Sequence, residues 1–257
     1  MGHTWDPDRY LTYADERARP FVELVSRVGA TDPREVVDLG CGPGNLTGLL
    51  AERWPGAHVV GLDSSPEMIS SAQALGQTVE YAVADLRAWR PERPVDVLVS
   101  NATLQWVPGH LDLLRSLVAK VAPGGWFAFQ VPGNFGEPSH QLLRDLARFP
   151  RYADATRGVE FPNSFDAETY LSDLAALGCD VDAWETTYLH VLRGENPVFE
   201  WISGTGARPV LQALEGPLFE AFVAEYQEEL RRAYPSHPYG TVLPFRRIFC
   251  VATKAVR

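Results

Sequence analysis

Asp38-Leu39-Gly40-Cys41-Gly42-Pro43-Gly44-Asn45-Leu46-Thr47 places three glycines within five residues, just after an acid. The run Glu35-Val36-Val37 before it reads as a short strand. Gly48-Leu49-Leu50-Ala51-Glu52-Arg53-Trp54 after it reads as a helix with apolar residues on one face. Strand, glycine-rich turn and helix make the architecture of a nucleotide-type site. Glycines adopt positive φ and let a ligand approach the backbone, and a helix N-terminus offers N–H groups with no intrahelical partner. Here the glycines stand at 40, 42 and 44, as Gly-x-Gly-x-Gly. A dinucleotide fingerprint instead spaces them Gly-x-Gly-x-x-Gly around a pyrophosphate.

Val59-Val60-Gly61-Leu62-Asp63 reads as a second apolar strand ending in a carboxylate, 19 positions beyond Gly44. An acid there accepts hydrogen bonds from both hydroxyls of a ribose. Ser64-Ser65-Pro66-Glu67-Met68 opens a helix, with Ser65 as N-cap and Pro66 at the first helical position. A third run, Val79 to Ala84, ends in Asp85-Leu86, and a fourth, Val95 to Ser100, leads into Asn101-Ala102. Each strand end carries a polar group.

Pattern and context resemble motif I and the later motifs of the class I methyltransferases that use S-adenosylmethionine. The resemblance implies that cofactor, with S-adenosylhomocysteine as product, and a turn that wraps its amino-acid and ribose parts. It implies contacts from Asp38, Gly40, Cys41, Gly42, Gly44 and Asn45, then from Asp63, Ser64 and Met68. Asp85 is expected to face the adenine amino group, beside Leu86, with Asn101 and Gln105 following the fourth strand. Cys41 sits where a small residue suffices and is assigned no chemistry.

The 257 residues are 46% apolar and 22% charged, ordinary for a globular protein. No stretch approaches the ~20 apolar residues of a membrane span, and Met1-Gly2-His3-Thr4-Trp5-Asp6 lacks the basic and apolar regions of a signal peptide. Three scattered cysteines, 41, 179 and 250, have no metal-ligand spacing, so no metal is expected, and reduced thiols in a cytoplasm are the simple reading. A net charge of −10 argues against a nucleic-acid acceptor, which needs a basic face. The basic residues are 21 Arg and 2 Lys, a bias that an Arg-rich genome explains without function.

Residues 8 to 28 read as a helical segment, and strand and helix signals then alternate from 35 to about 131. The helix from His110 to Val121 stops at Pro123-Gly124-Gly125, and Trp126 to Val131 reads as the fifth strand. This βαβαβ series predicts an α/β, Rossmann-like fold: a mostly parallel seven-stranded sheet with helices on both faces. Its ligand belongs beyond the carboxyl ends of the strands. Further on, helices are expected at Glu137–Phe149 and Ala167–Leu177, a loop over 150–165, and strands at Val181–Leu192 and Ile248–Thr253. The expected organisation is one methyltransferase domain, 1–257. Residues 1–30 form its N-terminal helical segment and 31–193 with 244–257 its core. Residues 194–243 form a helical lid inserted before the last strand, too short to bury a core alone.

The resemblance narrows further, to the trans-aconitate 2-methyltransferases. Trp5-Asp6-Pro7, Tyr10-Leu11 and Glu16-Arg17-Ala18-Arg19-Pro20 look like that family's opening. Gly61 to Pro66, Ser100 to Trp106, Trp184 to Tyr188 and Trp201 to Pro209 are similar to its later blocks. The resemblance implies methyl transfer to one carboxylate of trans-aconitate, giving a monomethyl ester. A carboxylate is ionised at neutral pH and needs no general base, and no nucleophile–base constellation stands out, so no catalytic residue is assigned.

A small polycarboxylate calls for cations on the carboxylates that do not react, and arginine supplies a bidentate fork. The candidates are Arg17, Arg208 and Arg246, with Tyr10, Tyr13, Trp106 and Tyr188 as further lining residues. Tyr10, Tyr13 and Arg17 share one helical face by spacing, though Arg17 is as well placed to pair with Asp15 or Glu16. Arg246 and Arg247 alternate along a strand, so at most one faces a pocket. A methyltransferase for another small acceptor, or a non-catalytic S-adenosylmethionine-binding protein, remains the alternative.

Overall fold

The computed structural model describes residues 18–256. Its elements in chain order are α1 (Arg19–Ser26), β1 (Glu35–Leu39), α2 (Gly48–Arg53), β2 (His58–Asp63), α3 (Pro66–Gln73) and β3 (Glu80–Val83). Then come β4 (Val95–Asn101), a 3-10 turn (Leu104–Trp106), α4 (His110–Lys120), β5 (Val121–Pro132), α5 (Pro138–Ala147) and α6 (Ala153–Thr156). The remainder is α7 (Ala167–Ala176), β6 (Cys179–Leu192), α8 (Pro197–Ser203), α9 (Arg208–Gln212), α10 (Gly216–Ala233), β7 (Ser236–His237) and β8 (Gly240–Lys254). The chain divides into two compact units. One holds the residues up to Val131, Phe165–Glu185 and the chain from Ile248 on; the other holds Pro132–Ser164 and Thr186–Arg247.

The sheet runs β3-β2-β1-β4-β5-β8-β6, with the short β7 antiparallel to β8 off that path. β1 pairs in parallel with β2 and β4, β2 with β3, and β4 with β5. Parallel strands covered on both faces need unbroken apolar runs. Val36, Val37 and Leu39, then Val97, Leu98 and Val99, then Phe127, Ala128 and Phe129 are all buried. Leu114 and Leu117 of α4 and Tyr170 and Leu174 of α7 complete this core. Because β1 to β4 are parallel, the ends that carry Leu39, Asp63, Val83 and Asn101 fall on one side of the sheet.

Two joints tie the first unit together. Arg53 at the end of α2 donates to the carbonyls of Val25 and Val28, both at 2.6 Å, which caps the end of α1 with a cation. Lys254 donates to the carbonyls of Val118 and Val121 at the end of α4. Ser65 caps α3 as expected: its hydroxyl accepts the Met68 amide at 3.2 Å, with Pro66 in the first turn.

The fifth strand starts earlier than its sequence suggests, at Val121. Val95 pairs with Val121 and Val97 with Trp126, so the Pro123-Gly124-Gly125 interruption is a bulge within the strand. A side chain at Gly125 would stand 2.8 Å from the Asp96 carbonyl, so only glycine lets the strands close there. The last strand also begins earlier, at Gly240, and the expected 150–165 loop contains the one-turn helix α6.

The second unit has its own core. α10 packs on α5 and α8, burying Leu143, Ile202, Phe222, Tyr226 and Leu230 with Tyr152. The Tyr152 and Phe222 rings meet edge to face at 5.0 Å. Tyr226 donates its hydroxyl to the Ser139 carbonyl at 2.6 Å, which gives a buried polar group its partner.

Candidate functional site

The glycine turn follows β1. Gly40, Gly42 and Gly44 have φ of +82°, +56° and +79°, which side chains other than glycine rarely adopt. Their surroundings separate two roles. A Cβ on Gly40 would collide with Thr103 at 2.2 Å, and one on Gly44 would lie 2.7 Å from the Tyr81 hydroxyl. Those two glycines admit neighbouring side chains of the protein. A Cβ on Gly42 would meet nothing within 4 Å, so this is the glycine whose bare backbone is open to a ligand. The turn is anchored from below, since the Leu62 carbonyl accepts the amides of Gly40 at 2.7 Å and Cys41 at 2.9 Å.

Three acids stand at the strand ends. Asp63 closes on the turn: its Oδ2 accepts the Gly42 amide at 3.0 Å, and its Oδ1 accepts the Ser65 amide at 2.9 Å. Each carboxylate oxygen retains a further lone-pair site. Asp38 is buried, and its Oδ2 accepts the Thr47 hydroxyl at 2.7 Å. Its Oδ1 is buried with no hydrogen-bond partner among the described residues. Burial pushes its pKa up to about 6, opposed by the Thr47 bond and assisted by the nearby charge of Asp63. Asp85 is exposed and gripped by Arg87, whose Nε and terminal nitrogen reach both carboxylate oxygens. The Arg87 bonds hold its pKa below the ordinary carboxylate range. Burial and the charges of Asp38 and Asp63 push the Cys41 thiol up, so it stays protonated.

The end of β4 is a polar knot. Ala102 holds a φ of +52°, the described non-glycine residue with positive φ. Its amide donates to the Gln130 carbonyl at 2.9 Å, and its carbonyl accepts Gln105 Nε2 at 2.5 Å. Gln130 Nε2 donates to Asn101 Oδ1 at 2.7 Å. The Thr103 hydroxyl reaches the Gly40 carbonyl at 3.2 Å, tying this loop to the glycine turn. Gln105 Oε1 is buried and without a hydrogen-bond partner among the described residues. An unsatisfied buried acceptor costs about 1–3 kcal/mol, which a ligand donor recovers.

The remaining expected residues are placed as follows. Asn45 and Ser64 are exposed, Leu86 is half-buried, and Met68 on α3 is 37% exposed. Trp106 in the 3-10 turn is 45% exposed. Tyr188 on β6 is buried and stacks with His190, which also meets Trp201 at 4.6 Å and Phe245 at 5.9 Å. Arg208 starts α9 and is exposed. Arg246 is turned onto the Gly133 carbonyl, through Nε at 3.0 Å and a terminal nitrogen at 2.7 Å. Arg247, its neighbour, is the buried one, with its guanidinium carbon 4.6 Å from the centre of the Phe245 ring. Tyr10, Tyr13 and Arg17 lie outside the described residues. Among the described residues no cluster of His, Cys, Asp or Glu is arranged to hold a metal, and no helix is long and apolar enough to cross a membrane.

Sequence reasoning passed over Tyr81, Thr103 and Gln130. Each acts on a partner 29 or more positions away, so no local pattern marks it.

Residues 10–183 match a methyltransferase domain family. A protein of Streptomyces avermitilis named trans-aconitate 2-methyltransferase is 54% identical, over 98% of this chain and 97% of its own length. Proteins of the same name from Rhodococcus jostii and Mycobacterium tuberculosis are 53% and 50% identical, each over 96% of this chain and over 98% and 96% of their own lengths. Among solved structures, the YcgJ protein of Bacillus subtilis is similar at TM-score 0.59 and 10% identity, covering 91% of this chain and 97% of its own. A putative methyltransferase of Bacillus halodurans is similar at TM-score 0.56 and 16% identity, with 91% and 97% covered. At those identities the structures speak for the fold alone: the Rossmann-like sheet of the class I methyltransferases. The chain belongs to the trans-aconitate 2-methyltransferase family of methyltransferases.

Proposed function

We propose that this protein transfers a methyl group from S-adenosylmethionine to one carboxylate of trans-aconitate, forming a monomethyl ester. The observation that carries the reading is identity of 50–54% to relatives of that name over nearly the whole of both chains.

The residues at the glycine turn fit this cofactor. Gly42 leaves open space where a side chain would stand. The orphaned acceptors Asp38 Oδ1 and Gln105 Oε1 suit the protons of an ammonium group, and the fixed carboxylate of Asp63 suits a ribose diol. Gly40 and Gly44 shape the turn, while Ser64, Met68, Asp85 and Leu86 are the proposed neighbours of the adenosine part. When bound, S-adenosylmethionine supplies a methyl group on a positively charged sulfur.

An ionised carboxylate needs no proton removed, so the chain needs no general base for this acceptor. Its residues act by holding the acceptor in line and keeping water away. Arg208, with Tyr188 and Arg246, remains proposed for the carboxylates that do not react, and 194–243 is the segment proposed to select the acceptor. The test is product analysis by mass spectrometry after incubation with S-adenosylmethionine and a panel of di- and tricarboxylates. A monomethyl ester of trans-aconitate formed in clear preference to monocarboxylate esters supports the reading. Equal turnover of both classes removes the assigned specificity.

A further inference from the structure

Asn134 follows the end of β5 in the turn that leads to α5, and it is 2% exposed. Its Oδ1 accepts the Arg246 backbone amide at 2.7 Å. That partner settles which end of the carboxamide is which, because a flipped side chain would set –NH₂ against a backbone N–H, donor against donor. Nδ2 is therefore the other end, and it is buried with no hydrogen-bond partner among the described residues. A buried donor in this state is rare and costly, and an incoming acceptor atom recovers the loss. The turn is held at several points and does not swing to relieve it. The Gly133 amide donates to the Arg246 carbonyl at 2.8 Å, and the Arg246 guanidinium reaches back to the Gly133 carbonyl. The Ser164 hydroxyl holds the Pro132 carbonyl at 2.7 Å, and the Glu137 amide donates to the Asn134 carbonyl at 2.9 Å.

What meets this donor brings an oxygen, since –NH₂ only donates. Charge favours an anion: Arg247, next along β8 from the residue that holds Asn134, buries a guanidinium that stays protonated at any working pH. The place suits a ligand as well. An open α/β sheet takes its ligands beyond the carboxyl ends of its parallel strands, and Asn134 follows the carboxyl end of β5. The orphaned acceptors Asp38 Oδ1 and Gln105 Oε1 belong to the first unit, with every proposed cofactor contact. The Asn134 donor belongs to the second unit, with Tyr188, Arg208 and Arg246. We infer that Asn134 is a specificity-determining residue for the methyl acceptor, giving its Nδ2–H to a carboxylate that does not react. Arg246 is the positioning residue, since its amide fixes the direction of the donor. The inference rests on the proposed function and deepens it, by adding to the acceptor side a residue with a buried donor to offer.

Asn134→Asp is the discriminating change. It keeps an oxygen for the Arg246 amide and replaces the donor with a negative acceptor of the same shape. Asn134→Thr removes the donor without adding charge, and it carries the test if the aspartate variant fails to fold. Using the full chain, calorimetry measures the Kd of S-adenosylmethionine and that of trans-aconitate on the S-adenosylhomocysteine complex, and ester formation gives the KM and kcat for trans-aconitate. Loss of a charge-assisted hydrogen bond predicts a trans-aconitate KM and Kd raised by about tenfold to a hundredfold in Asn134→Asp. A smaller rise is expected in Asn134→Thr, with kcat and cofactor Kd changed by no more than about threefold in either variant. Weaker cofactor binding with unchanged acceptor values would overturn the inference and place the donor on the cofactor. A fall in kcat alone would overturn it by showing a structural role, and unchanged values throughout would show that the donor meets only water. If the parent chain neither binds nor esterifies trans-aconitate, the functional reading has failed and the inference falls with it, a result distinct from the others.

Discussion

Asp63 reaches back to Gly42: its Oδ2 holds the glycine amide at 3.0 Å while Oδ1 holds the Ser65 amide at 2.9 Å. One carboxylate at the end of β2 therefore fixes both the glycine turn and the start of α3. Asp63→Ala leaves two backbone donors without their charged partner. The expected outcome is an S-adenosylmethionine Kd raised by about tenfold or more, since bonds to a charged group contribute about 1.5–3 kcal/mol each. Calorimetric titration checks it, and an unchanged Kd would show that Asp63 serves the turn's shape alone.

Asp38 gives the protein a pH dependence opposite to that of most acids. Its pKa in the fold is about 6, against an ordinary 3.8. Between those values the folded protein keeps a proton that the unfolded chain has released, so stability falls as pH rises through the window. The total for a shift of this size is on the order of 3 kcal/mol. Asp38→Asn is expected to remove that slope and to raise the melting temperature of the ligand-free protein at neutral pH by several degrees. The same change weakens cofactor binding, because the orphaned Oδ1 loses its charge. Thermal melts from pH 4 to 8, with and without S-adenosylmethionine, read both effects.

Across the amino-end side of the sheet, His58 bridges Glu35 and Glu80, with a ring nitrogen 3.0 Å from each carboxylate. The bonds to Glu35 and then Glu80 raise its pKa. A raised histidine contributes stability that is fully present below its unfolded pKa of about 6.5 and is lost as pH climbs through the folded value. The ring is 51% exposed, so solvent and salt weaken the contribution. His58→Gln is expected to flatten the corresponding part of the melting profile, and added salt to shrink the difference between the two proteins.

In the second unit, Gly206 faces His140: a Cβ there would lie 2.6 Å from the imidazole Nε2. His140 is buried, bonded to the Ser139 hydroxyl at 3.1 Å and set edge-on to Phe135, so a shift of its ring disturbs both contacts. Gly206→Ala is expected to cost about 1–3 kcal/mol by overpacking. His140→Ala in the same chain should recover part of it. Urea unfolding of the single and double variants measures the coupling, and strictly additive losses would refute the contact.

How much of this was legible in the sequence depends on the range over which each feature is decided. The glycine turn, the Ser65 cap and the Asp63 strand end are local patterns of residue type, and they fell where their spacing put them. The Val121 start of β5 was hidden because Pro123 and Gly124 read as a turn until Val95 and Val97 supply the register that makes them a bulge. The early start of β8 was hidden in the same way. Pro244 reads as a strand breaker but is exposed, and the Pro238-Tyr239 turn is revealed by the His237–Gly240 pairing. Asp85 was legible as an acid at a strand end. Its capture by Arg87 was not, because nothing in the spacing says which neighbour an exposed arginine takes. Gln130 illustrates the limit: it looks like one polar residue in an apolar strand, and only the parallel pairing brings it beside Asn101.

Methyl transfer to trans-aconitate is measured by incubating the purified protein with methyl-labelled S-adenosylmethionine and trans-aconitate and following label into product. Labelled monomethyl trans-aconitate is expected, formed in preference to esters of monocarboxylic acids. Cofactor binding with no labelled ester from trans-aconitate or any other polycarboxylate would overturn the assigned reaction.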